Sequence, residues 1–141
     1  MSERLKNFLW LVLVLVIFGV ITFFRGNSSM YLDFDDNSIT VSAPKDFVYI
    51  VPFENISDIE LIEEFDSGIM VNGNKNRNFL WGIWENDTLG QYTLCAYKKI
   101  NNAIIVKETN GNILVFNYES EETTASLANM IPQLIESKLT S

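Results

Sequence analysis

Apolar and polar positions follow three different rhythms along this chain. Residues 8–24 read FLWLVLVLVIFGVITFF, uncharged throughout and without a polar face. From residue 30 the pattern breaks into short bursts. Met30, Leu32 and Phe34 interleave with Tyr31, Asp33 and Asp35, the period of two that marks a half-buried strand. Further strand-like runs lie at 38–42, 47–53, 56–62, 79–84, 91–98, 103–109 and 112–117. Between them stand Asp36-Asn37, Ala43-Pro44-Lys45-Asp46, Ser67-Gly68 and Asn110-Gly111, residues that suit turns, and Asn110-Gly111 is the strongest hairpin signal. Residues 71–78 (VNGNKNRN) read as a polar loop. The last segment changes period: Leu127, Met130/Ile131, Leu134/Ile135 and Leu139 recur at three and four, one apolar stripe of a helix. Ser120 suits its N-cap, and Glu121 and Glu122 suit the positive end of its dipole. Pro132 inside that stripe removes one hydrogen bond and predicts a kink. The pattern therefore predicts a mainly β domain of about seven short antiparallel strands, closed as a small barrel or sandwich and capped by one amphipathic helix.

The uncharged run changes where that domain works. As a helix it is about 26 Å long, close to a hydrocarbon core of about 30 Å. Arg4 and Lys6 precede it and Arg25 follows at once. A cleaved signal peptide needs small residues after its apolar stretch, whereas Ile21-Thr22-Phe23-Phe24-Arg25 is bulky there. The expectation is a single uncleaved transmembrane helix at 8–25, after a tail at 1–7 and before a linker at 26–29 and a domain at 30–141. Trp10 and Phe23/Phe24 suit the two interfaces. Two basic side chains before the run against one directly after it place the N-terminus inside and the domain on the extracytoplasmic face of the cell membrane.

Composition then narrows the chemistry. The 141 residues carry 18 acids against 10 Lys and Arg, a formal charge of −8, which argues against nucleic acid as a partner. There is no His, the commonest general base and metal ligand, and a lone Cys95 leaves no disulfide framework or thiolate cluster. No G-x-S-x-G, S-x-x-K or phosphate-binding glycine loop occurs. The expectation is a chain with no enzymatic activity, no metal and no cofactor. Asp33-x-Asp35-x-Asn37 has the opening spacing of a calcium loop, but Ser38 and Pro44 stand where such a loop needs Gly and Glu, so it reads as a hairpin turn. Glu54, Asp58, Glu60, Glu63, Glu64 and Asp66 form an acidic stretch that suits either a docking face or a solvated strand edge.

Several segments resemble one family. Residues 56–62 (ISDIELI), the glycines of WGIWENDTLGQYTL, the run Ile104-Ile105-Val106-Lys107-Glu108-Thr109 before Gly111, then Val115-Phe116-Asn117 and Glu122-Thr123 are similar to bacterial pleckstrin-homology-like (PH-like) domains, many of which follow a transmembrane helix. The resemblance covers residues 30–139 and implies a PH-like barrel that binds a ligand or protein, with no catalytic residues. PH domains that hold inositol phosphates use basic residues around the first hairpin turn. Asp35-Asp36-Asn37 would repel a phosphate there, so phosphoinositide is disfavoured.

The stretch Phe79-Leu80-Trp81-Gly82-Ile83-Trp84 is apolar at both parities: Phe79, Trp81 and Ile83 share one face of a strand, Leu80 and Trp84 the other. One face is expected in the core; the other is covered by the helix, by a partner or by the membrane surface. Phe79, Trp81 and Trp84, with the adjacent Lys75 and Arg77, are the candidate contact residues. The expected function is a non-catalytic, membrane-tethered binding module whose partner is a membrane or envelope protein; the alternative is a structural accessory subunit or oligomerisation module of a membrane complex.

Overall fold

The computed structural model describes residues 2–28 and 30–139, with side chains described outside 19–28. Helix α1 (Glu3–Ser28) is followed by β1 (Tyr31–Phe34), β2 (Ser38–Ala43), β3 (Phe47–Pro52), a short 3-10 turn (Phe53–Asn55), β4 (Ile56–Ile62), β5 (Ile69–Lys75), β6 (Phe79–Asn86), β7 (Gly90–Tyr97), β8 (Ala103–Glu108), β9 (Ile113–Phe116) and α2 (Glu121–Leu139). The mainly β character with a helix at the C-terminal end agrees with the sequence pattern. Three features of the strands do not. There are nine among the described residues, where about seven were expected. They form two separate sheets, ordered β1-β2-β3 and β4-β8-β9-β7-β6-β5, with no closed barrel. And β7 runs parallel to β9, whereas every other pair is antiparallel.

The expectation of a transmembrane helix meets α1. Its side chains at residues 8–18 are all exposed, from Val14 at 39% to Phe18 at 69%, and three turns of them cover every face. Among the described residues no helix is long and apolar enough to cross a membrane. The rest of the apolar run, from Gly19 to Phe24, lies outside the residues whose side chains are described.

Turn chemistry explains much of the domain's Asn and Asp content. Asp35 Oδ1 accepts the backbone N–H of Asn37 and of Ser38, both at 2.7 Å, closing β1 onto β2. These bonds, the Asn37 amide first and the Ser38 hydroxyl next, hold the Asp35 carboxyl below its ordinary value. The calcium-like spacing is thus a hairpin turn. Asn76, Asn86 and Asn110 accept backbone amides in the same way at the β5–β6, β6–β7 and β8–β9 hairpins.

The larger sheet is buried on both faces. One packs against the three-stranded sheet: Ile39, Val41, Val51 and Phe53 meet Phe79, Trp81, Cys95, Ile104, Val106, Leu114 and Phe116, and Ile131 of α2 closes the cluster. The opposite parity of the same strands (Trp84, Tyr92, Leu94, Ala96, Ala103, Ile105 and Val115) forms a second cluster under Phe65 and Leu89 of the loops. A side chain of this size contributes about 1.5–3 kcal/mol when fully buried, so these two layers hold the fold. Helix α2 is capped as expected, Ser120 Oγ accepting the Thr123 amide at 3.0 Å, and continues through the exposed Pro132 to Leu139.

Candidate functional site

Strand β6 carries the aromatic residues singled out above, and the structure makes them core. Phe79, Trp81 and Trp84 are 5%, 2% and 5% exposed. The face not turned to the small sheet is covered within the chain, so the three do not form an open contact patch. Trp84 folds across the neighbouring strand, and its indole N–H donates to the Trp81 carbonyl at 3.1 Å. Gly73 makes that possible: a Cβ there would lie 2.8 Å from Trp84 Nε1 and 2.6 Å from the Trp81 carbonyl oxygen. Directly opposite, Gly82 has φ +98° and a Cβ on it would meet Gly73 Cα at 2.6 Å. Trp81 Nε1 is buried and without a hydrogen-bond partner. Phe79 stacks edge-on against Tyr97 at 4.8 Å, and Tyr97 in turn against Tyr118 at 6.2 Å.

Lys75 and Arg77, by contrast, are exposed, on the β5–β6 hairpin. Residues 71–78 contain most of a strand, β5, where the sequence reads as a loop, and Asn76 turns the chain into β6. Two other loops meet this hairpin. Lys45 of the β2–β3 turn donates from Nζ to Asn74 Oδ1 at 3.3 Å. The Lys98 amide, at the start of the β7–β8 loop, donates to the Asn78 carbonyl at 2.9 Å. That loop is fastened from behind by Asn117, only 3% exposed. Its side chain accepts the Tyr97 amide at 2.6 Å and donates toward the carbonyls of Tyr97, Ile100 and Asn102. Sequence reading named Lys75 and Arg77 but missed Lys45, Lys98 and Lys99, which pairing brings beside them from 21 or more positions away in two directions.

The acidic stretch divides. Asp58 and Glu60 lie exposed on β4, an edge strand of the large sheet. Glu63, Glu64, Asn101, Asn102 and Glu121 line a hollow of about 400 Å³, and Glu64 also borders a smaller one of about 270 Å³ over Phe65, Leu89 and Ile105. Among the described residues no group of three or more acids, Cys or His is placed to hold a metal ion. Cys95 is buried 3.6 Å from Met30 Sδ, and burial pushes its thiol up to about 12, which keeps it protonated and a poor nucleophile. Burial likewise raises Tyr97 to about 12, and the nearby Tyr118 and then Glu119 add to it. Where a hydroxyl meets a carboxylate, Tyr49 donating to Glu108 at 2.6 Å and Ser38 to Asp35 at 3.0 Å, the bond joins two strands or closes a turn. What the arrangement can do is present surface: a basic set of loops at one end and an acidic hollow beside it. No family model, no curated protein and no solved structure matches this chain.

Proposed function

We propose that this chain is a non-catalytic interaction module tethered to a membrane by α1, its domain a PH-like variant that binds a membrane or envelope protein from the extracytoplasmic side. The observation that carries the tether is the eleven-residue stretch 8–18, apolar on every face of the helix and exposed throughout. In water such a surface is far larger than an isolated protein tolerates, and lipid is the medium that suits a helix without a polar side. The uncharged sequence continues to Phe24, flanked by Arg4 and Lys6 on one side and Arg25 on the other. The PH-like reading draws on a run of strands followed by an amphipathic helix that covers one sheet face; the parallel β7–β9 pair is its departure from an antiparallel meander.

Confinement to a bilayer raises the effective concentration of any partner in the same membrane, so a shallow surface without a deep pocket suffices. Protease treatment of intact against lysed cells tests the reading. Loss of the domain in intact cells, with a membrane-bound stub retained, is the expected result. A full-length chain released from membranes by alkaline carbonate would overturn the tether.

A further inference from the structure

Resting on that reading, we propose that the end of the domain nearest α1 is a lipid-facing surface that lies against the anionic headgroups of the bilayer in which the chain is anchored. The argument begins with chain length. Helix α1 ends at Ser28, β1 begins at Tyr31, and Met30 between them is already buried in the core. Three steps of chain reach at most about 11 Å. Whatever angle α1 takes, the part of the domain around Tyr31 stays close to the end of the helix.

Register says which loops share that end. Tyr31 pairs with Ser42, and Ala43 with Phe47, so the β2–β3 turn with Lys45 stands beside the start of β1. Lys45 reaches Asn74 of the β5–β6 hairpin, and Asn78 of the hairpin holds the Lys98 amide. Three loops far apart in sequence are thus gathered into one surface bearing Lys45, Lys75, Arg77, Lys98 and Lys99, all exposed. Residues 30–141 contain seven Lys and Arg in all, so five of the seven are here, in a stretch of chain with 17 acids. Asp46 is the acid within these loops, Glu119 adjoins at Tyr97 and Tyr118, and Glu63, Glu64 and Glu121 line the hollow on the far side of the β7–β8 loop, against Asn101 and Asn102. The opposite end carries Asp35, Asp36, Glu54 and Asp87 in its turns.

Aromatic side chains complete the surface. Tyr31 is 46% exposed, Tyr97 and Tyr118 are half-buried, and the three are near neighbours. Tyrosine with lysine is the pairing that suits a membrane–water interface, where the ring enters the headgroup layer and the cations meet lipid phosphates. A diffuse surface of separate cations fits a sheet of anionic charge better than one small anion.

Amine acylation of the full-length chain in nanodiscs tests this, with phosphatidylcholine alone compared to phosphatidylcholine plus phosphatidylglycerol. Mass spectrometry reads each lysine after exposure to a membrane-impermeant reagent. Lys45, Lys75, Lys98 and Lys99 are expected to react about fivefold more slowly in the anionic discs, with Lys107 of β8 unchanged. About 0.5 M salt should abolish the difference. Equal rates at the four lysines in both lipids, in a chain that co-floats with vesicles of each composition, would overturn the lipid-facing surface and leave the tether standing. A chain that floats with neither would remove the tether, and this inference with it.

Discussion

Strands β5 and β6 are hydrogen-bonded neighbours of similar length, and their residues have almost nothing in common. Strand β6, FLWGIWEN, fills both layers of the core with Phe79, Trp81 and Trp84. Strand β5, IMVNGNK, leaves Ile69, Met70, Val71 and Asn72 exposed. One strand forms because its own side chains demand burial on both faces. The other forms because β6 offers it an edge, and because Gly73 lets Trp84 lie across its backbone. β-propensity is a property of the surface a strand joins as much as of the residues it brings. If so, damage should fall steeply on β6 and on the glycine contact, and barely on the outer half of β5.

The largest effect belongs to Gly82→Val. Its φ of +98° suits glycine, and the added Cβ would press on Gly73 Cα, which is backbone and cannot swing aside. The loss should be about 4 kcal/mol or more, enough to remove most of the stability of an ordinary domain. Gly90→Ala is the comparison: φ is +70°, but nothing lies within 4 Å of the new Cβ, so only the backbone penalty of about 1 kcal/mol applies. Urea unfolding of both variants reads the difference. Equal losses would mean that conformation, and not the Gly73–Gly82 contact, governs this pair of strands.

Next come the two tryptophans, which their hydrogen bonds separate. Trp84→Phe removes a donor that the Trp81 carbonyl uses, and should cost about 2 kcal/mol. Trp81→Phe leaves a similar gap but also deletes a buried N–H that has no partner. An unsatisfied buried donor costs about 1–3 kcal/mol in the native state, so the two terms nearly cancel and the variant should lie within about 1 kcal/mol of the parent. Thermal or urea unfolding measures both. A Trp81→Phe variant as damaged as Trp84→Phe would mean that the Trp81 donor is satisfied after all.

The same contrast explains what could be read from the sequence. The strands at 31–34, 38–43, 47–52, 56–62, 79–86, 90–97, 103–108 and 113–116 announce themselves through alternation or apolar runs, and α2 through its stripe and the Ser120 cap. β5 does not, since VNGN carries a loop's composition and only its partner makes it a strand. The parallel β7–β9 pairing is equally silent, because local sequence fixes a hairpin and says nothing about which distant strand fills the next place in a sheet. The aromatic run at 79–84 is legible as two-faced, and Trp84's cover over β5 depends on a glycine that is 11 positions away. Lys75 and Arg77 are conspicuous as a pair; the lysines that join them arrive by tertiary pairing alone.

The smallest effect is the sharpest test of the edge. In β5 the register skips Val71, between Met70 opposite Trp84 and Asn72 opposite Ile83, so this residue sits at a bulge with 44% of its surface exposed. Val71→Lys exchanges an apolar β-branched residue for a cation on an outer strand. A bulge and a charge are both devices that keep sheet edges from pairing with other chains. Folding stability should move by no more than about 0.5 kcal/mol, and the tendency to associate at high concentration should fall or stay level. A loss of about 1.5 kcal/mol or more would mean that Val71 is packed beneath something in the working protein. The exposed half of β5 would then be a covered interface, and its contrast with β6 would describe only the chain on its own.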